Sequence, residues 1–298
     1  MRPVFDVVIS MRFKTVALIG KFNGVGIVEP LLGLAQYLAG RGIEVALEGE
    51  TAANTGIGGY RVLPAFEIGA AADLVIAVGG DGTMLSIGRL LAASGVPLIG
   101  VNQGRLGFMT DIALADVYTT LEKMLDGEFD PEDRALIEAE VWREESMLTQ
   151  ALALNDVAVS RGAVGGMIEL SVSIDQHFVS NQRSDGLILA TPTGSTAYAL
   201  SANGPILHPS VDGFVLVPVA PHALTNRPIV VSNRSRVEVT VIRGKDCRVH
   251  FDGQSDVLLN DGDRLVMRRS AHALRLLHPR GYNYFAMLRQ KLHWSTIP

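Results

Sequence analysis

The hydrophobic period of this chain changes once, close to residue 130, and that change restricts it to folds that join an α/β layer to a β-rich one. Before it, short apolar runs at 15–20, 43–47, 74–78 and 97–101 read as strands. The segments between them carry apolar residues at helical spacing, as in Val28, Leu31, Leu32, Ala35, Leu38 and Ala39, with Gly40 and Gly42 placed to end that helix. Strands that alternate with helices form a parallel sheet with helices on both faces. A further helix is expected around Val117, Leu121, Met124 and Leu125, followed by a break at Gly127 and Pro131. The period then becomes two. Ile137, Ala139 and Val141 alternate with polar residues, as do Ile168, Leu170, Val172 and Ile174, and later Val237, Val239 and Val241. The expected organisation is an α/β domain over residues 13–130 and a β-rich, sandwich-like domain over 131–278. Residues 282–292 read as a last helix, so 279–298 are expected to pack back on the first domain.

Gly79-Gly80-Asp81-Gly82-Thr83 falls between the apolar run 74–78 and the helical stretch 84–93. Three glycines leave this turn without β-carbons, so a bulky anion can approach the backbone N–H groups while the helix start adds partial positive charge. Such a turn suits a phosphate. A carboxylate in the same place repels one, so Asp81 is expected to have a chemical task, the structural alternative being a helix cap. Ligands of parallel sheets bind at the carboxyl ends of the strands, where Gly104-Arg105-Leu106-Gly107-Phe108 also falls. Residues 48–69, with Gly56, Gly58 and Gly59, read as a long mobile connection that closes over the site.

Other stretches are weaker or are excluded. Residues 20–26 are glycine-rich but carry neither the Gly-Lys-Ser/Thr ending of a P-loop nor a GxGxxG pattern. Asn155-Asp156 offers an amide beside a carboxylate, suited to ribose hydroxyls or a base edge and equally to a plain turn. Arg183-Ser184-Asp185-Gly186 joins a phosphate-type cation to a carboxylate, and also fits a surface ion pair. Thr191-Pro192-Thr193-Gly194-Ser195-Thr196-Ala197-Tyr198 is dense in hydroxyls. With the N–H groups of a helix starting near Ser195 it would form a second anion or ribose site, or an N-cap cluster. A serine nucleophile is disfavoured because Gly-x-Ser-x-Gly is absent.

The 26 Lys and Arg against 31 Asp and Glu give a net charge of −5 without a basic block, which argues against nucleic acid as a partner. The single cysteine, Cys247, reads as a strand residue and fits a reducing cytoplasm. No apolar run reaches membrane-spanning length, and residues 1–12 read as an extension ahead of the fold. His177, His208, His222, His250 and His278 show no metal-ligand spacing.

Taken in order, GGDGT, NQGRLGF, LNDVAVSRG and RSDGLILATPTGSTAYALSANGP resemble the NAD kinase family in its bacterial form, over nearly the whole chain from about Phe13. The resemblance implies a Rossmann-like or flavodoxin-like α/β nucleotide-binding domain plus a β-rich one, and homo-oligomers, commonly dimers or tetramers. It implies transfer of the γ-phosphate of ATP to the 2′-hydroxyl of the adenosine ribose of NAD, with Mg²⁺ or another divalent cation carried by the ATP phosphates. Asp81 matches the catalytic aspartate, and Gly79, Gly80, Gly82 and Thr83 match the phosphate turn. Asn155 and Asp156 match the substrate-binding pair, whose second member is often Glu in the family. Phe108 matches a residue near the adenine, and Arg183 and Asp185 flank the dinucleotide. Thr196, Ala197, Tyr198, Ala199, Leu200 and Ser201 match the nicotinamide-side pocket, Gln254 a further contact, and Gly166 and Ala220 approaches through backbone. A lipid or sugar kinase that shares the GGDGT turn, or a non-catalytic dinucleotide sensor, are the rival readings.

Overall fold

The computed structural model describes residues 13–20, 26–104, 107–162 and 166–294. The extension at 1–12, most of the glycine-rich stretch 20–26, and Arg105 and Leu106 of the NQGRLGF stretch lie outside the described residues. The chain divides into two compact units, one of residues 1–133 and 274–298 and one of residues 134–273.

In the first unit, β1 (Thr15–Gly20), β2 (Glu44–Glu48), β3 (Arg61–Leu63), β4 (Leu74–Gly79) and β5 (Leu98–Asn102) form a parallel sheet in the order β5-β4-β1-β2-β3. A short β6 (Ile112–Ala113) pairs with β5, and Leu276 from the end of the chain pairs with Leu98. β4 is buried along its whole length, as expected of a parallel strand covered on both faces. Its helices are α1 (Val28–Gly40), α2 (Gly49–Thr55), α3 (Ile68–Ala71), α4 (Asp81–Leu91) and α5 (Val117–Leu125). The core gathers Val16, Leu18, Leu31, Leu34, Leu38, Leu74, Ile76, Val101 and Leu121.

Three expectations need correction here. The buried stripe of α1 is Leu31, Leu34, Ala35 and Leu38, an i, i+3, i+4, i+7 set, and Val28 and Leu32 are exposed instead. Residues 48–69 are not an open connection. They hold α2, the edge strand β3 and a 3₁₀ turn at Ala65–Glu67, because the Glu48 carboxylate caps α2 and Gly56, at φ +67°, ends it in the left-handed region. Pro131 breaks nothing, since it lies inside β7 (Phe129–Arg143).

The second unit is antiparallel and has two sheets. One contains β11 (His177–Ser184), β10 (Ile168–Ile174), β15 (Val237–Arg243) and β18 (Arg264–Pro279) in that order, and extends through β7 to β8 (Ser146–Ala153). The other runs β14-β13-β12-β9-β16-β17, with β9 Asp156–Ser160, β12 Gly186–Ala190, β13 Gly213–Val219, β14 Ile229–Ser232, β16 Cys247–Phe251 and β17 Ser255–Leu259. Inward residues of both sheets, among them Val157, Leu187, Phe214, Val249, Ile137, Leu170 and Val239, share one core. A smaller cluster of Ala158, Ile188, Ala190, Ala199, Val215 and Val217 covers the opposite face of the second sheet. The fold is therefore the expected one, an α/β parallel-sheet part joined to a β-rich antiparallel part. Cys247 is buried in the core, where burial pushes its thiol up to about 12, and it is chemically inert.

Candidate active site

The first unit carries its cavity where the strand order reverses, between the carboxyl ends of β1 and β4. It has a volume of about 990 Å³ and is lined by Gly20, Glu48, Thr51, Asn54, Gly80, Gly82, Thr83 and Ser86 among others. Glu48 and Thr51, which the sequence reading did not single out, are among its lining residues. The Glu48 carboxylate accepts hydrogen bonds from the N–H groups of Glu50 and Thr51 and from the Thr51 hydroxyl, at 2.7–2.8 Å. Thr51 Oγ1 accepts from the N–H of Gly20 at 3.0 Å and so ties α2 to the end of β1.

Helix α4 starts at Asp81, three residues earlier than the hydrophobic pattern implies. Gly80, not Asp81, is its N-cap. The carboxylate instead accepts from the N–H of Phe108 at 2.9 Å and from that of Met109 at 3.0 Å. Two amides thereby fix both oxygens. Gly107 must be glycine for this to happen, because a β-carbon there would lie 2.1 Å from Asp81 Oδ1 and 2.4 Å from Thr110 Oγ1. Gly79 is constrained in the same manner by Thr83, whose Oγ1 would be 2.5 Å from an added β-carbon.

The second unit holds a smaller cavity of about 320 Å³, lined by Asn155, Asp156, Ala158, Ser160, Ala197, Tyr198, His250, Asp252 and Gly253. Asp252 organises it from a left-handed backbone conformation, φ +53°. Its carboxylate accepts from the N–H groups of Leu154, Asn155 and Asp156 at 3.0, 2.7 and 3.2 Å. Asp156 is only 5% exposed, and burial first, then the Asp252 charge, push its carboxyl up to about 7. Ser160 Oγ lies 3.0 Å from His250 Nε2 on the same strand face. Asp252, His250 and Ser160 were not singled out in the sequence. The Asp252-Gly253 turn signal was the available clue to the first, whereas Gln254, the residue chosen there, is exposed and lines neither cavity.

Three hydroxyls of the Thr191-to-Tyr198 stretch are turned to backbone carbonyls. Thr191 donates to the Leu154 carbonyl at 2.6 Å, Ser195 donates to that of Pro192 at 2.6 Å, and Thr196 to that of Thr193 at 3.1 Å. They lace a 3₁₀ turn, Gly194–Thr196, onto the Asn155 turn, and α6 (Tyr198–Ser201) is a single helical turn. Ala197 and the exposed Tyr198 face the cavity, Ala199 is packed in the core, and Leu200 and Ser201 line no described cavity. A β-carbon at Gly194 would lie 2.0 Å from the Asn155 carbonyl oxygen. Gly194→Ala is accordingly expected to destabilise the protein by about 1–3 kcal/mol, the usual cost of overpacking, read as a lower midpoint in denaturant. An unchanged midpoint would show that the two turns are not in contact.

Of the remaining expected residues, Asp185 and Ala220 lie at the other end of the same sheet, whereas Arg183 is on β11 and Gly166 precedes β10, both strands of the unit's first sheet. Strand β9 separates the ends by four residues, roughly 13 Å. Asp185 pairs with Arg161 at 2.7 Å and Arg183 with Glu169 at 3.0 Å, so the two do not pair with one another. Gly166 is exposed two residues ahead of β10, and Ala220 is exposed with φ +43°, a strained choice for alanine. Among the described residues no three His, Cys, Asp or Glu side chains gather to hold a metal, and no helix is long and apolar enough to cross a membrane.

A carboxylate pinned inside a glycine turn at a sheet's switch point, beside a cavity of nucleotide size, defines a nucleotide-dependent phosphotransferase. Family models described as the ATP-NAD kinase N-terminal and C-terminal domains match residues 16–129 and 154–278. The chain is 55% identical to the NAD kinase of Ralstonia nicotianae over 96% of its own length and 95% of the relative's. It is 54% identical to that of Polaromonas sp. over 95% and 98%. Among solved structures it is similar to an NAD kinase from Archaeoglobus fulgidus in complex with ATP, with TM-score 0.73 and 28% identity over 94% and 98% of the two chains. It shares the fold of yeast NADH kinase complexed with NADH, with TM-score 0.88 and 20% identity over 97% and 89%. The chain belongs to the NAD kinase family, and its activity is the phosphorylation of NAD.

Proposed function

We propose that Asp81 is the general base that takes the proton of the 2′-hydroxyl of the adenosine ribose of NAD as the γ-phosphate of ATP is transferred to that oxygen. The observation that carries this is the pair of amide hydrogen bonds that fixes the Asp81 carboxylate next to Gly80 and Gly82 of the cavity wall. Phosphoryl transfer needs little covalent help, so positioning and charge neutralisation are the work to be done. In this reading the triphosphate lies on Gly79, Gly80, Gly82 and Thr83, and the cavity of the first unit takes the donor nucleotide. Mg²⁺ or a similar ion arrives with ATP, and it neutralises charge on the phosphate oxygens. The dinucleotide is assigned to Phe108, Asn155, Asp156, Ala197 and Tyr198, and on the family resemblance to Gly166, Arg183, Asp185, Thr196, Ala199, Leu200, Ser201, Ala220 and Gln254. On the family resemblance, the enzyme acts as a homo-oligomer, dimer or tetramer, in the cytoplasm.

The donor assignment is tested at Gly82, which is exposed in the turn. Gly82→Val is expected to raise the KM for ATP by at least about tenfold while NAD binding stays within about twofold, because the branched side chain blocks close approach of phosphate to the backbone. An unchanged KM for ATP would remove this cavity as the donor site. The same assay with polyphosphate in place of ATP separates recognition of the nucleoside from that of the phosphate chain.

A further inference from the structure

We propose that His278, near the end of β18, is a positioning residue for the Asp81 carboxylate, acting through Asp111 and the backbone of residues 107–111. The proposal rests on reading Asp81 as the general base. His278 is 2% exposed and stacks on Tyr282 with centroids 3.9 Å apart and planes at 10°. Its Nδ1 is 2.9 Å from Asp111 Oδ2, and its Nε2 is 3.0 Å from Glu132 Oε2. The ring thus faces a carboxylate oxygen at each nitrogen, and ionised carboxylates only accept. A doubly protonated ring satisfies both contacts with charge-assisted bonds, whereas a neutral ring satisfies one.

Asp111 stands two residues beyond Met109, whose N–H holds Asp81 Oδ1. The segment between is already cross-linked, since Thr110 Oγ1 accepts from Asn102 Nδ2 at 2.8 Å and from the N–H of Gly107 at 3.0 Å. The last helix, α7 (Tyr284–Leu292), adds a second hold from the same end of the chain, with Lys291 Nζ 5.9 Å from the centre of the Phe108 ring. The two amides that aim the base are therefore gripped at Phe108 and at Asp111 by residues that follow β5 by well over a hundred positions. A general base displaced by about 1 Å loses rate on the order of a hundredfold, so this grip bears on catalysis as well as on packing.

The test uses the two amide isosteres of histidine. An asparagine amide nitrogen falls near the Nδ1 position and a glutamine amide nitrogen near Nε2, so H278N keeps the contact to Asp111 while H278Q keeps only that to Glu132. H278Q is expected to lower kcat by at least about tenfold with the KM values for NAD and ATP within about twofold, and H278N to lose much less. In an Asp81→Asn background, H278Q should add less than about a twofold loss, because a positioning residue has nothing left to position. If H278Q does not fold, Asp111→Ala removes the same contact from the other side and carries the same expectations. Wild-type kcat in the folded variant, equal losses in H278N and H278Q, or a full further loss in the Asp81→Asn background would each overturn the proposal. Wild-type turnover in Asp81→Asn alone would instead remove the assignment of the base and leave His278 without a role in it.

Discussion

Asp81→Asn is expected to bind NAD within about twofold of the unaltered enzyme and to turn over at least ~100-fold more slowly, the scale on which a positioned general base contributes. The substitution removes the basic oxygen pair and keeps the side-chain volume. Because both carboxylate oxygens accept amide N–H groups, the asparagine satisfies one of them with its oxygen and presents its own N–H₂ to the other. A small stability loss is therefore expected alongside the kinetic one, and thermal melting separates the two. Calorimetric NAD binding together with a coupled assay for NADP decides the matter, and near-normal turnover would refute the role given to Asp81.

Asp156→Asn is expected to stabilise the protein, increasingly so as pH rises. Burial and the neighbouring Asp252 charge push the folded carboxyl up to about 7, against 3.8 for the ordinary group, so the folded state holds this proton more tightly than the unfolded chain does. The stability linked to it is fully present below the unfolded value and is lost as pH rises through the folded one. Asparagine does not titrate. Its advantage should therefore grow by about 2–3 kcal/mol between pH 5 and pH 8, measured as the difference in unfolding free energy in urea. An advantage that shrinks with rising pH would mean that Asp156 is ionised in the fold. Asp252 faces Asp156 across the same turn, its carboxylate accepting from the N–H groups of Leu154, Asn155 and Asp156.

The two-layer organisation was legible because periodicity reports burial directly, and both the α/β part and the β-rich part announce their periods. Asp81 drew attention for a chemical reason, since a carboxylate in a phosphate-friendly turn is out of place unless it has a task. What holds it was not legible. The amides of Phe108 and Met109 carry no side-chain signature, and the demand for glycine at Gly107 emerges only from the structure. Residues 48–69 read as a long connection because of their glycines, when Gly56 in fact ends a helix capped by Glu48, and Glu48, Thr51, Pro64 and Ala65 of this segment line the cavity. The hydroxyls of the Thr191 stretch left two readings open for a related reason, as sequence does not reveal whether a hydroxyl faces a ligand or its own backbone. Asp252 and His250 become neighbours of Asn155 and Ser160 only through the pairing of β16 with β9, a contact between residues about ninety positions apart.

The first unit draws on both ends of the chain, residues 1–133 and 274–298, while the second is continuous. During translation the continuous unit can therefore reach its native state while the other still awaits its final strand residues and helix. The part that holds Asp81 is expected to complete its fold last, and a polypeptide cut short before His278 lacks the contacts of His278 with Asp111 and of Lys291 with Phe108.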